Sequence, residues 1–163
     1  MPRPQILQVS VSKGGVPKHP IPSGTLTLTG LESDHQAHPD IHGGPQQAVL
    51  LITAEGIAEL AAQGFPLAPG SLGENLTTTG IARHQWRTGQ HWQIGPEAVI
   101  EITKRRAPCQ ALNVYSPGLQ AAIYDPLAAA GDPSSPKWGL SGFYASVVRP
   151  GIIHPGDEIF LVP

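Results

Sequence analysis

Gly89-Gln90-His91-Trp92-Gln93-Ile94-Gly95-Pro96-Glu97-Ala98-Val99-Ile100-Glu101-Ile102-Thr103 reads as two short strands, His91 to Ile94 and Ala98 to Thr103, punctuated by Gly89-Gln90 and Gly95-Pro96. Glycine and proline set the backbone angles of tight turns, and β-branched and aromatic residues between them suit a pleated surface. Further candidate strands lie on both sides. Leu76 to Thr79, Phe143 to Arg149 and Glu158 to Val162 are further short strands, the last entered through Pro155-Gly156-Asp157. Short strands at turn-length spacing predict a mainly β chain with a few short helices and a barrel-like arrangement.

Upstream, Leu7, Val9 and Val11 alternate with Gln8 and Ser10, and Thr25, Thr27 and Thr29 alternate with Leu26 and Leu28. Both follow the period of a half-buried strand, and the second is expected to form a hairpin with the first. Ala48 to Ile52 is an unbroken apolar run, expected as a buried strand. Thr53 then caps a helix with Glu55 in its first turn, an apolar face of Ile57, Leu60 and Ala61, and a stop at Gly64. A second helix is expected over Leu119 to Tyr124 with Pro117 at its start. Residues 33 to 47 are too polar and too broken by Pro and Gly for regular structure, and Pro133 to Pro136 reads as an exposed excursion. No repeat and no linker divides the chain, so residues 1–163 are expected to form one domain.

With 163 residues the chain is long enough for one real core. Its 19 glycines, 18 prolines and 13% charged residues argue against long exposed helices. A net charge of -2, with no Lys/Arg block, gives no footprint for nucleic acid. No segment has the length of a membrane span and the start lacks a secretory signal, so neither partner is expected and a cytoplasmic location is.

One cysteine, Cys109, precludes an internal disulfide. It follows Thr103-Lys104-Arg105-Arg106-Ala107-Pro108, where three cations favour the thiolate that attacks sulfur or carbon and ligates metals. Buried filler is the competing reading of a lone thiol. His35, His38 and His42 with Asp34 and Asp40 sit in a loop without firm ligand spacing, which favours local hydrogen bonding over a zinc site. Gly43-Gly44-Pro45 is a candidate for offering backbone N–H groups to an anion, with a plain turn as the alternative. In Leu72-Gly73-Glu74-Asn75-Leu76, Glu74 is a candidate acid, base or acceptor and Asn75 a candidate orienting amide, with a plain turn as the alternative.

In order along the chain, the following fragments resemble the MOSC family, the domain found at the C-terminus of molybdenum cofactor sulfurases and as small stand-alone bacterial proteins. They are Gly30-Leu31-Glu32-Ser33-Asp34, His42-Gly43-Gly44-Pro45 with Ala48-Val49, Glu55, Pro69 to Leu76, Ile94-Gly95, Glu101 to Thr103, Arg106-Ala107-Pro108-Cys109, Gly142 to Ala145 and Gly151 to Asp157. The resemblance implies a barrel-like fold and a bound molybdenum-pterin cofactor. It makes Cys109 the metal ligand, His42, Gly43, Gly44, Arg106 and Cys109 the cofactor-binding set, and Cys109, Asn75 and Glu74 the catalytic set. Stand-alone members reduce N-hydroxylated small molecules with electrons from an external redox partner, and this chain has no cluster, flavin or nicotinamide motif of its own. The alternative implied is a carrier that takes sulfur from a donor protein as a Cys109 persulfide. The chain departs from the family's common residues at Ser33, Gln90, Phe143 and Ser146.

Overall fold

The computed structural model describes residues 2–35, 43–108 and 110–163. Among them, eight strands form one sheet. β1 (Gln5–Val11), β2 (His19–Ile21), β5 (Val49–Thr53), β6 (Leu76–Thr79), β7 (His91–Ile94), β8 (Ala98–Arg105), β9 (Phe143–Arg149) and β11 (Ile159–Val162) lie in the order β11-β7-β8-β9-β5-β6-β1-β2. β3 (Gly24–Thr27), β4 (Gly30–Leu31) and β10 (Gly151–Ile153) make a second, small sheet. α1 (Ala54–Ala62), α2 (Leu119–Ala122) and α3 (Pro126–Ala129) are its short α-helices.

The β7–β8 hairpin forms as its turn chemistry dictates, with Ile94 opposite Ala98. Trp92 and Ile94 face the core while His91 and Gln93 are half-exposed. β8 meets β9 through two register shifts, and such bulges bend and twist a sheet. At the far end Ile6 N–H donates to Asp157 O, Gly156 N–H donates to Ile6 O, and Gln5 bridges Glu158. The start of β1 thereby meets the lead into β11, the opposite end of the strand order. The sheet is barrel-like, joined there by a bridge rather than a ladder.

β5 is buried along its whole length because both faces are covered. One face meets a core holding Ile6, Leu76, Ile100, Ile102, Trp86, Trp138 and Phe143. The other meets a smaller cluster of Ile52, Ile57, Leu60, Leu72, Leu112, Leu119, Ile123 and Leu140. Thr53 caps α1 by accepting from Gly56 N–H, and the chain leaves at Gly64 with φ +98. α1 is the crossover that lets β5 and β6 pair in parallel.

Four expectations are corrected in whole or in part. The strand at residues 25–29 does not pair with β1; β3 pairs with β10 and β4, while β1 pairs with β2 and β6. The Leu7-Val9-Val11 alternation breaks because a bulge between Ile6 and Gln8 sends Ile6 and Val9 inward and leaves Leu7 exposed. In the excursion at residues 133–136, Ser134 and Pro136 are exposed as expected, but it is tethered, Ser135 being fully buried with its hydroxyl on Asp125 and Pro136 O accepting from Arg83. The second helix ends at Ala122, two residues short of Tyr124. No helix among the described residues is long and apolar enough to cross a membrane.

Candidate functional site

Between α1 and β6 the chain makes a tight turn, Gly70 to Asn75, which sends two neighbouring side chains into two separate polar clusters. Gly70 has φ +92, and a Cβ there would sit 2.3 Å from Lys18 O. Only glycine lets the two backbones approach this closely.

Glu74 enters the first cluster and is fully buried. Its Oε2 accepts from Gly70 N–H and the Thr77 hydroxyl, both at 2.9 Å, while its buried Oε1 has no partner. Burial pushes the Glu74 carboxyl above the usual carboxylate range, opposed by the Gly70 N–H, by its own backbone N–H, by the Thr77 hydroxyl and by the Arg106 charge. Arg106, the residue just after β8, is itself buried. Its Nη1 donates to Leu72 O at 2.7 Å and lies 3.5 Å from Ser141 O, and its backbone N–H holds Gly142 O at 2.8 Å. The Tyr115 hydroxyl donates to Ser71 O. Burial, and then the Glu74 charge, push that phenol upward. The Ser141 hydroxyl is buried without a partner. Unpaired buried polar atoms cost free energy, so two in one cluster call for a reason.

Asn75 enters the second cluster. Its Oδ1 accepts from Leu50 N–H at 3.1 Å, and its Nδ2 donates to Ser10 O at 3.2 Å and Asp34 Oδ2 at 2.9 Å. With its backbone also bonded to Leu50 and Ser10, it splices β5 to β1. Asp34 further accepts from Ser12 N–H at 2.9 Å and pairs with Lys18 Nζ at 2.8 Å.

Gly44 has φ +97 and ψ 169, a conformation open only to glycine, and an added Cβ would meet nothing within 4 Å. Its neighbourhood is pinned to β8 by the Thr103 hydroxyl, which donates to Gln46 O at 2.6 Å. Gln47 closes the turn, its backbone N–H on Gly44 O and its side-chain amide on Gly43 O. His38, Asp40, His42 and Cys109 lie outside the described residues. The chain on either side of Cys109 is held, with Pro108 O accepting from Gln120 and Leu112 fully buried. Among the described residues no group of three or more His, Cys, Asp or Glu is arranged to hold a metal.

Glu74 and Arg106 are thus brought together, while Asn75 turns away into a different set of partners. Sequence reasoning did not reach Lys18, Tyr115 or Ser141. Lys18 is a lone cation between prolines, Val16-Pro17-Lys18-His19-Pro20, and that was its one signal. Of the departures from the family's usual residues, Ser33 carries φ +69, alone in this region among described non-glycine residues. Gln90 serves its own turn, accepting from Arg87 N–H and the Trp92 indole. Phe143 packs edge-on to Trp138 at 5.5 Å. Ser146 sits opposite Glu101 in the β8–β9 ladder.

A family model described as MOSC domain matches residues 38–160. The chain is 28% identical over 166 residues to an uncharacterized protein, YflK, of Bacillus subtilis (strain 168), covering 98% of this chain and 69% of that one. It is 36% identical over 96 residues to protein YiiM of Escherichia coli (strain K12), covering 55% of this chain and 42% of that one. A Gibberella moniliformis protein named Reductase is 26% identical over 143 residues, covering 83% of this chain but only 23% of its own length. In fold, the crystal structure of YiiM from Geobacillus stearothermophilus superposes with a TM-score of 0.74 at 24% identity, covering 98% of this chain and 75% of that one.

Proposed function

Because the chain belongs to the MOSC domain family, we propose that it is a molybdenum-pterin-dependent reductase of N-hydroxylated small molecules. Residues 1–163 are taken as one MOSC domain, since β1, ahead of the matched stretch, lies between β6 and β2 in the main sheet. The observation that carries the reading is the buried Glu74 carboxyl, one oxygen unpartnered, beside the Arg106 guanidinium three residues before Cys109.

The residues suit an anionic pterin group. Gly44 leaves its backbone uncovered, Arg106 is a buried cation, Glu74 Oε1 and the Ser141 hydroxyl are orphaned, and Cys109 is a soft sulfur donor. When bound, that group supplies two-electron oxygen-transfer chemistry. Cys109 would ligate the metal as thiolate, while His42, Gly43, Gly44 and Arg106 would hold the anionic part. Glu74, whose burial favours the protonated form, would supply a proton from its unpartnered side to the leaving oxygen. Asn75 orients the site through its bonds to Leu50, Ser10 and Asp34 rather than by a free amide. The reaction balances as R–NHOH plus two electrons and two protons giving R–NH2 and water. The electrons come from an external redox partner.

Expression in a host with intact cofactor synthesis, followed by metal analysis of wild type and Cys109→Ala, tests the ligand role. The expected result is molybdenum in the wild type and its loss from the variant; equal molybdenum in both overturns it. A mass increase of one sulfur atom on Cys109, with no metal, identifies a persulfide carrier instead.

A further inference from the structure

Lys18 has no direct bond to Glu74, yet it is tied to both ends of the Gly70–Asn75 turn, to Gly70 through its backbone and to Asn75 through Asp34. Its backbone N–H donates to Gly70 O at 2.9 Å, and Gly70 N–H in turn donates to Glu74 Oε2 at 2.9 Å. Its side chain, 6% exposed, places Nζ 2.8 Å from each oxygen of Asp34, whose side chain is 4% exposed. Asp34 then accepts from Asn75 Nδ2 at 2.9 Å. The Asp34 carboxylate thus has a second donor on each oxygen, Ser12 N–H on Oδ1 and Asn75 on Oδ2.

Burying an ammonium and a carboxylate is costly, and apolar residues of similar size often hold a fold at least as well. What the charges add is direction. With Asp34 pinned by Lys18 and Ser12, the Asn75 amide has one orientation, and with Lys18 gripping Gly70 the N–H that faces Glu74 has one position. We propose that Lys18 is a positioning residue for Glu74, its ammonium fixing Asp34 and through it Asn75 at one end of the turn while its backbone holds Gly70 at the other, so that the unpartnered Oε1 keeps a single aim. The inference rests on the reading of Glu74 as the acid of the site.

The test compares Lys18→Met, Lys18→Arg and the double variant Lys18→Met/Asp34→Asn in the full chain. The double variant removes both charges together, so it leaves no uncompensated ion and remains usable where Lys18→Met does not fold. The Gly70 amide proton, followed by NMR, is expected to lose its carboxylate-bonded shift and to exchange at least about tenfold faster in the Met variants, while β8 and β9 amides keep their rates. In the cofactor-loaded protein, kcat for an N-hydroxylated nucleobase falls about tenfold or more at similar KM, and Lys18→Arg recovers most of it.

An unchanged Gly70 amide in the double variant overturns the proposal whatever the activity. So does wild-type kcat in a folded Met variant. Wild-type turnover by Glu74→Gln overturns the parent reading instead, and leaves the Gly70 result as evidence for the grip alone.

Discussion

The two buried clusters on either side of the Gly70–Asn75 turn differ in one respect. Around Asp34, each carboxylate oxygen takes two donors, the Asn75 amide is engaged at both ends, and Lys18 faces its counter-charge. Around Glu74, one carboxyl oxygen and the Ser141 hydroxyl are left without partners. A fully paired network can hold geometry, while an incompletely paired one keeps capacity for something else. Adjacent residues of one turn therefore carry different burdens: Asn75 holds the frame and Glu74 is left available within it.

Breaking the paired side carries the largest expected effect. Lys18→Met leaves Asp34 buried and uncompensated, which is expected to lower stability by about 3–5 kcal/mol in urea unfolding. Lys18→Met/Asp34→Asn should recover a substantial part of that loss. Next comes the hinge between the clusters. Gly70→Ala combines a strained φ with a Cβ 2.3 Å from Lys18 O and is expected to cost about 3 kcal/mol, against about 1 kcal/mol for Gly44→Ala, where only the backbone angle resists.

The unpaired side answers to pH. Glu74 has its folded pKa raised by burial, so its stabilising contribution is full below the unfolded carboxylate pKa and is lost as pH rises through the folded value. Gln at this position does not titrate. Urea unfolding across the acid-to-neutral range should therefore show wild type losing stability relative to Glu74→Gln as pH increases; a constant difference would mean that Glu74 does not titrate as a buried acid. The smallest effect belongs to Ser33→Gly beside Asp34. Relieving φ +69 should stabilise by about 0.5 kcal/mol, the removed strain being partly offset by glycine's unfolded-state entropy.

Much of the framework was legible because its causes are local. The β7–β8 hairpin, the apolar run of β5, and the Thr53 cap with its Gly64 stop all follow from residues within a few positions of one another. The site was legible in part, since Glu74, Asn75, Gly44 and Arg106 sit in recognisable turns or at strand ends. Their roles were not. Glu74 and Asn75 looked like a pair of ligand contacts, yet Asn75 bonds to Ser10, 65 positions away in sequence, and Glu74 is steered by Gly70 and Thr77. The hairpin expected between β1 and the strand at 25–29 failed for a similar reason. Alternation tells which face is buried but not which strand lies alongside, and β1 found β2 and β6.

By itself, then, the amino-acid sequence determined the strand-rich class, the places of the turns, the capped helix and the single thiol after a run of cations. These depend on backbone preferences and on neighbours that are covalently close. Strand order was decided only in the tertiary structure, and with it which buried charges found counter-charges. Lys18 and Asp34 are 16 positions apart and Asp34 and Asn75 41 apart, and no local rule spans such distances. A polar group's burden depends on whether folding delivers a partner to it, which is why the neighbours Glu74 and Asn75 end with different ones.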